Sequence, residues 1–304
     1  MPSAISRFFI LAASVTPALG FCGAHTHLDR RSEGEEVPIS TFGYIGTVGP
    51  LLWTQLDTAA NGLCSTGSNQ SPINMVEGQF SLIPASDIEL TIPDAAEGAT
   101  FENLGSTVEV VMKEVGGTFI LEGKNYTLEQ FHFHHPSEHL DDGVSMPMEM
   151  HMVFTTEAEE IAVIGIYVDL VDSPTVLQLH LHPRKAPSTL LETVFSSIGE
   201  IATPGTSTKT KPLAMSELVT QLKAGGFQRY SGSLTTPPCS EGVAWSVATE
   251  KLRLSKTTYQ AVRDVVGFNS RYPQNDLGEQ NLLAKASTPA APANSTASRR
   301  RWVM

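Results

Sequence analysis

Residues 128–135 read Leu-Glu-Gln-Phe-His-Phe-His-His, and residues 149–151 read Glu-Met-His. On a β-strand successive side chains alternate between faces. Gln130, His132 and His134 therefore share one face, while Phe131 and Phe133 take the other. The same alternation puts Glu149 and His151 on one face of a second strand. Residues 136–147 between them start and end on proline and contain Asp141-Asp142-Gly143, a turn composition. The two strands are thus expected side by side and antiparallel, with His151 opposite His132 and His134. Three neutral imidazoles leave the fourth tetrahedral position of Zn2+ open, the pattern of a catalytic site. Nitrogen donors disfavour Ca2+ and Mg2+. Gln130 and Glu149 are placed to accept from the outer ring nitrogens and so fix the histidine tautomers. A bare His-x-His on a strand is weak evidence by itself. The second such pair, His180 and His182, has no third ligand near it in sequence and reads as structural or surface. His135 and His139 are not counted as ligands.

Outward from this stretch, strand-like runs recur at 80–83, 108–113, 118–121, 127–133, 149–155, 161–167 and 243–248, several of them alternating apolar with polar residues. Helix-like stretches are few and short: 188–198, 215–222 and 256–265. Ser188 and Ser216 are N-cap candidates, the first with Glu192 close behind. No linker interrupts 40–283. Runs of strands with short peripheral helices indicate a single, mainly β domain built on a large sheet with irregular connections.

The chain has 304 residues, 41% hydrophobic and 17% charged, enough for a substantial core. Lysine plus arginine is 20 against 32 aspartate plus glutamate, a formal net charge of −12. That argues against nucleic-acid binding, whose affinity comes largely from neutralising phosphates, and against docking on anionic lipid. Arg7, the mostly apolar residues 8–19 and the small-residue site Ala18-Leu19-Gly20 predict a signal peptide over 1–20, cleaved after Gly20, and hence a secreted protein. The apolar run falls short of the ~20 residues of a membrane-spanning helix, so no membrane insertion is expected. Residues 21–39 form an N-terminal segment with a candidate dibasic processing site, Arg30-Arg31. Residues 284–304, rich in Pro, Ala, Ser and Thr and ending near Arg299, Arg300 and Arg301, read as a disordered tail. An oxidising compartment permits disulfides. Cys64 and Cys239 lie in the body and are the expected pair, leaving Cys22 beside the cleavage site as the odd one out. No Cys-x-x-Cys spacing suggests thiolate ligation of zinc. Sequons stand at Asn69, Asn125 and Asn294, with Pro72 directly after the first making Asn69 the poorest acceptor.

The ordered motifs of the body resemble the α-class carbonic anhydrases. The residues that carry this are Phe42-Gly43-Tyr44, Gly49-Pro50 and Trp53; Gln70-Ser71-Pro72-Ile73-Asn74; Phe131-His132-Phe133-His134; Ser137-Glu138-His139; Glu149-Met150-His151; and Ala162-Val163-Ile164-Gly165. They continue through Tyr230-Ser231-Gly232-Ser233-Leu234-Thr235-Thr236-Pro237-Pro238-Cys239, Val243, Trp245, Asn269-Ser270-Arg271 and Pro273-Gln274. The resemblance spans roughly 40–283, the implied catalytic domain.

It implies a central, mostly antiparallel twisted sheet with zinc at the base of a conical cleft. One Zn2+ per chain would be held by His132, His134 and His151, with Gln130, His139 and Glu149 as buried supports. Thr235 would accept a hydrogen bond from zinc-bound hydroxide and pass its own proton to Glu138. The Thr235 N–H and Thr236 would line the anion side, and Val153, Val163, Leu234 and Val243 would form the apolar wall for a small-molecule substrate. The implied reaction is reversible hydration of carbon dioxide to bicarbonate and a proton, because zinc makes a hydroxide available at neutral pH. In the segment matching Asn103-Leu104-Gly105-Ser106, fast members carry a histidine proton shuttle where Ser106 stands here. Serine does not titrate near neutrality. No other histidine obviously substitutes; the alternatives are His25 and His27 near the mature start, which could approach the cleft if ordered, or an acid at the cleft rim such as Glu109. Two other readings are a catalytically weak relative kept as a binding module, and a zinc esterase side activity. The His-Glu-x-x-His signature of a main peptidase role is absent. Oligomeric state is not legible.

Overall fold

The alternation at 128–135 is the inner half of a long strand. A computed structural model of the chain describes residues 36–172 and 186–288. In chain order its strands are β1 (Asn74–Met75), β2 (Ser81–Pro84), β3 (Glu89–Thr91), β4 (Thr100–Asn103), β5 (Val108–Val111), β6 (Thr118–Leu121), β7 (Lys124–His134), β8 (Leu140–Asp141), β9 (Val144–Ser145), β10 (Met148–Thr155), β11 (Ile161–Val171), β12 (Ser207–Lys209), β13 (Gly226–Ser233), β14 (Glu241–Ala248) and β15 (Leu252–Ser255). Twelve of them form one sheet, ordered β12-β4-β5-β7-β10-β11-β14-β13-β2, with β6 beside β7, β3 beside β6 and β15 beside β11. Its pairings are antiparallel except that β11 runs parallel to β14 and β15. The fold is mainly β, a single domain on a mixed, mostly antiparallel sheet. The 136–147 segment, read as loop, carries the short strands β8 and β9, which close a small separate sheet with β1.

Alternation along β7, β10 and β11 divides the interior in two. Phe131, Phe133, Met150, Met152, Phe154, Ile164 and Ile166 face a large apolar core. The helices Thr189–Phe195, Met215–Leu222 and Lys256–Val266 feed that same core with Leu190, Leu191, Val194, Phe195, Met215, Leu218, Leu222 and Val262. The opposite face carries the histidines and a smaller cluster that includes Val153, Val163 and Trp245. These three helices cover one face of the sheet and leave the histidine-bearing face for chemistry.

Ser188 caps its helix by accepting from Leu191 N–H. That helix stops at Phe195, earlier than the predicted 198, and a 3-10 turn follows at Ile198–Ile201. Ser216 is not a cap. It lies inside the helix Met215–Leu222, whose N-cap position is Ala214. The Asp94 carboxylate instead accepts the Ser216 N–H at 2.8 Å. Such a charge is favoured at a helix N-terminus, and it arrives from far away in sequence.

Cys64 and Cys239 are joined by a disulfide across 175 residues, with Cα atoms 5.1 Å apart. Both are buried beside Phe42, Tyr44 and Trp53. Cys239 follows the turn in which its N–H donates to Thr236 O, and holds φ +60°, an uncommon conformation for a residue with a side chain. Among the described residues no helix is long and apolar enough to cross a membrane. The expected signal peptide, Cys22, His25, His27, Arg30-Arg31, His180, His182, Asn294 and the arginines of the tail lie outside the described residues.

Replacing Cys64 and Cys239 together by alanine should lower unfolding free energy by about 2–4 kcal/mol. Urea denaturation of the two proteins measures it, and an unchanged midpoint would show that the cross-link contributes nothing to stability.

Candidate metal centre

Strands β7 and β10 pair so that His151 lies directly opposite His132 and Glu149 opposite His134. On the far side of β7, Glu109 of β5 is the register partner of His132. The ligand atoms of His132, His134 and His151 lie within 4.8 Å of one another, and all three side chains are buried. Each ring turns one nitrogen toward the others and the remaining one toward an acceptor. His132 Nδ1 donates to Gln130 Oε1 at 2.9 Å. His134 Nδ1 donates to the Asn269 carbonyl at 2.9 Å, and His151 Nε2 donates to Glu149 Oε1 at 3.0 Å. A carbonyl, an amide oxygen and an ionised carboxylate only accept, so each assignment is forced.

The inward atoms His134 Nε2 and His151 Nδ1 are buried without a hydrogen-bond partner. Unpaired buried acceptors cost ~1–3 kcal/mol each. A cation held among lone pairs of fixed tautomers removes that cost, so the donor set fits a nitrogen-preferring metal ion. Burial first, then the neighbouring histidines, hold His132 and His134 well below the ordinary imidazole range. Both are thereby kept neutral, as ligation requires.

Two carboxylates flank the cage. Burial alone would raise Glu149, but the adjoining His139 and His151 outweigh it and hold the carboxyl well below its usual range. Its Oε1 accepts from His139 Nδ1 at 2.7 Å as well as from His151, and its Oε2 accepts the Glu138 and His139 N–H groups. His139 Nε2 in turn accepts from the Tyr230 hydroxyl at 2.6 Å, and Tyr230 lies 2.8 Å from Ser71 Oγ. His139, Glu149 and His151 also approach as a possible ligand set, but their facing atoms are spent on one another. Glu138 is different. Burial pushes its carboxyl up to about 7, against the pull of His151, the Thr235 hydroxyl and Arg271 N–H. Its Oε2 stands 3.5 Å from His134 Nε2 and 3.9 Å from His151 Nδ1. A cation in the cage favours its ionised form.

Thr235 and Thr236 are buried, with Thr235 hydrogen-bonded to Glu138. Val153, Val163, Leu234 and Val243 gather with Trp245 in one apolar cluster, and Trp245 packs against His151 with ring centroids 4.8 Å apart. Ser106 is buried, its hydroxyl 2.6 Å from Ser40 Oγ. Glu109 is a buried wall residue of β5, not a residue of the rim. His135 turns away from the cage to pack on Tyr259, and burial holds it down to about 4.

Two residues of the site carried no role in the sequence reading. Asn269 supports His134 through its carbonyl. Its side chain donates to Phe133 O and Ser106 O and accepts the His135 N–H, so it braces β7 at the cage. Arg271 offers its N–H to Glu138 Oε1. Its buried guanidinium bonds Ser71 O, Cys64 O and Gln70 Oε1 and lies over the Trp53 ring. Both stand in the quoted closing motif, yet no local period marks a group that acts 135 residues away.

The chain matches the family model described as eukaryotic-type carbonic anhydrase over residues 49–283. A carbonic anhydrase of Neisseria gonorrhoeae is 34% identical, over 80% of this chain and 87% of its own length. The solved fungal alpha carbonic anhydrase of Aspergillus oryzae is 38% identical with a TM-score of 0.74, over 83% of this chain and all of its own. The alpha-carbonic anhydrase of Thermovibrio ammonificans, solved with the inhibitor sulfanilamide, is 31% identical with a TM-score of 0.65, over 80% of this chain and 98% of its own.

Asn269→Ala keeps the carbonyl that supports His134 but strips three hydrogen bonds from β7 and its neighbour. Metal-free protein should lose about 2–4 kcal/mol, the scale of buried groups left unpaired. Thermal and urea unfolding with chelator present reads it; a loss under 0.5 kcal/mol would remove Asn269 as a brace.

Proposed function

The chain belongs to the α-class carbonic anhydrase family, whose members hydrate carbon dioxide, and from that premise we propose that it works with one Zn2+ held by His132, His134 and His151. The observation that carries this is the cage itself: three buried imidazoles whose ligand atoms converge, tautomers fixed from outside, with the lone pairs of His134 and His151 turned inward and unpaired. When bound, zinc supplies the Lewis acidity that makes water nucleophilic at neutral pH. The chain's own residues do the rest. Thr235 gives its hydroxyl proton to the Glu138 carboxylate, so its oxygen is left to accept from the attacking group and orient it. Arg271 N–H also donates to Glu138, at Oε1. Val153, Val163, Leu234 and Val243 hold carbon dioxide by apolar contact, beside the nucleophile and without polar competition. The Thr235 N–H and Thr236 receive the growing negative charge of bicarbonate, the kind of preorganised donor that stabilises a transition state most.

Each turnover also releases a proton. Ser106 neither titrates near neutrality nor faces water, being buried against Ser40. The proton therefore passes to buffer without an imidazole relay at this position.

We further propose that the chain acts in an oxidising compartment outside the cytosol. The Cys64–Cys239 disulfide supports this. Asn125 is the favoured glycan acceptor, since it and Thr127 of its sequon are both exposed at the start of β7. Asn69 is tied through its N–H to Glu241, and Ser71 of its sequon is fully buried.

Purified protein should carry about one zinc per chain by elemental analysis. His134→Ala should lose both the metal and carbon dioxide hydration while staying folded; full hydration by that variant or by metal-free protein would discard the proposal. Ser106→His should raise kcat at low buffer concentration and flatten its dependence on imidazole-type buffers, with kcat/KM little changed. A wild-type kcat indifferent to buffer, read by stopped flow, would mean that another group already carries the proton.

A further inference from the structure

Gly165 sits in the interior of β11, directly opposite His151 on β10. A strand-interior glycine weakens the strand and marks either a special backbone or a close approach. Its φ is not among the positive values in the chain, so the backbone does not require glycine there. Space does. A Cβ at this position would stand 3.0 Å from Glu149 Oε1, and only at ordinary contact, 3.5 and 3.6 Å, from Trp245 and Val247.

Glu149 has nowhere to retreat. Its Oε1 is held by His139 and His151, and its Oε2 by two backbone N–H groups. His139 is held in turn by the Tyr230 hydroxyl, which bonds Ser71 Oγ. The far end of this chain is closed by a second glycine: a Cβ on Gly232 would overlap Ser71 Oγ and the Tyr230 ring.

We propose that Gly165 is a positioning residue for the zinc centre: the missing side chain is the slot that seats Glu149 Oε1 against His151 Nε2, and so sets how firmly His151 binds the ion. The inference rests on the zinc reading above. A methyl group at Gly165 displaces the carboxylate and, through it, the imidazole.

The test is zinc competition against a chromophoric chelator, with melting of each metal-free protein recorded alongside. Gly165→Ala should weaken zinc binding about 10- to 100-fold, the scale for groups that orient metal ligands. Gly199→Ala, where a Cβ meets nothing within 4 Å, should bind as wild type does. Glu149→Asp withdraws the carboxylate, so the loss on adding Gly165→Ala to it should be smaller than in the native background. Zinc affinity within twofold of wild type in folded Gly165→Ala overturns the proposal, as does an equal loss in Gly199→Ala. If Gly165→Ala does not fold, the double variant decides: recovery of folding supports a clash with the carboxylate, and failure to recover overturns it. Wild-type protein that takes up no zinc would instead sink the reading of the site, and this inference with it.

Discussion

A slip of one residue between β7 and β10 would turn every side chain of one strand to the opposite face. His151 would then join Phe131 and Phe133 in the core, and Met150 or Met152 would face the cage. The register that pairs His151 with His132 is thus the constraint on which the centre depends. It is enforced from the other side of the sheet, where Phe133 pairs with Met150 and Phe131 with Met152 in the large apolar core. Burial of such side chains contributes about 1.5–3 kcal/mol each, and all of it is at stake in the slip. The chemistry on one face is registered by the packing on the other.

The second condition is electrostatic. Glu138, Glu149 and Arg271 are all buried within the support of one site, and buried charges destabilise unless paired and hydrogen-bonded. Glu149 accepts four hydrogen bonds. Arg271 spends its guanidinium on two carbonyls and an amide, and although burial lowers it to about 10, it stays charged at neutral pH. Glu138 Oε2 and Arg271 Nε each lack a hydrogen bond, and the Glu138 oxygen is turned toward the cage. A nearby cation would complete a carboxylate in that state, so the acid beside the histidines fits the same chemistry as the histidines themselves.

How much of this was legible in the sequence follows from how far each interaction reaches. The face shared by Gln130, His132 and His134, and the matching face of Glu149 and His151, are properties of consecutive residues, and strand geometry alone exposes them. The pairing of the two strands follows from the short connection between them. β12, three residues long, has too few residues for a period, and the eight-residue β13 was missed because glycines at 226 and 232 dilute its strand signal. Ser216 looked like a cap because a cap is usually local, whereas the group that caps its helix is Asp94. Asn269, Arg271 and the space opposite His151 act across strands or across most of the chain, and in the sequence they appear only as members of a motif whose purpose it does not state.

The long reach of these supports also orders events in time. The three histidines leave the ribosome together, within twenty residues of one another. The carbonyl that orients His134 comes 135 residues later, and the arginine that ties Gln70 and Cys64 to the site comes 200 residues and more after them. A growing chain therefore displays its ligand triad well before it owns the groups that aim it. Contacts so distant in sequence also form slowly. The site is in this sense a property of the finished fold: the candidate ligands come early in the chain, and the groups that aim them come late.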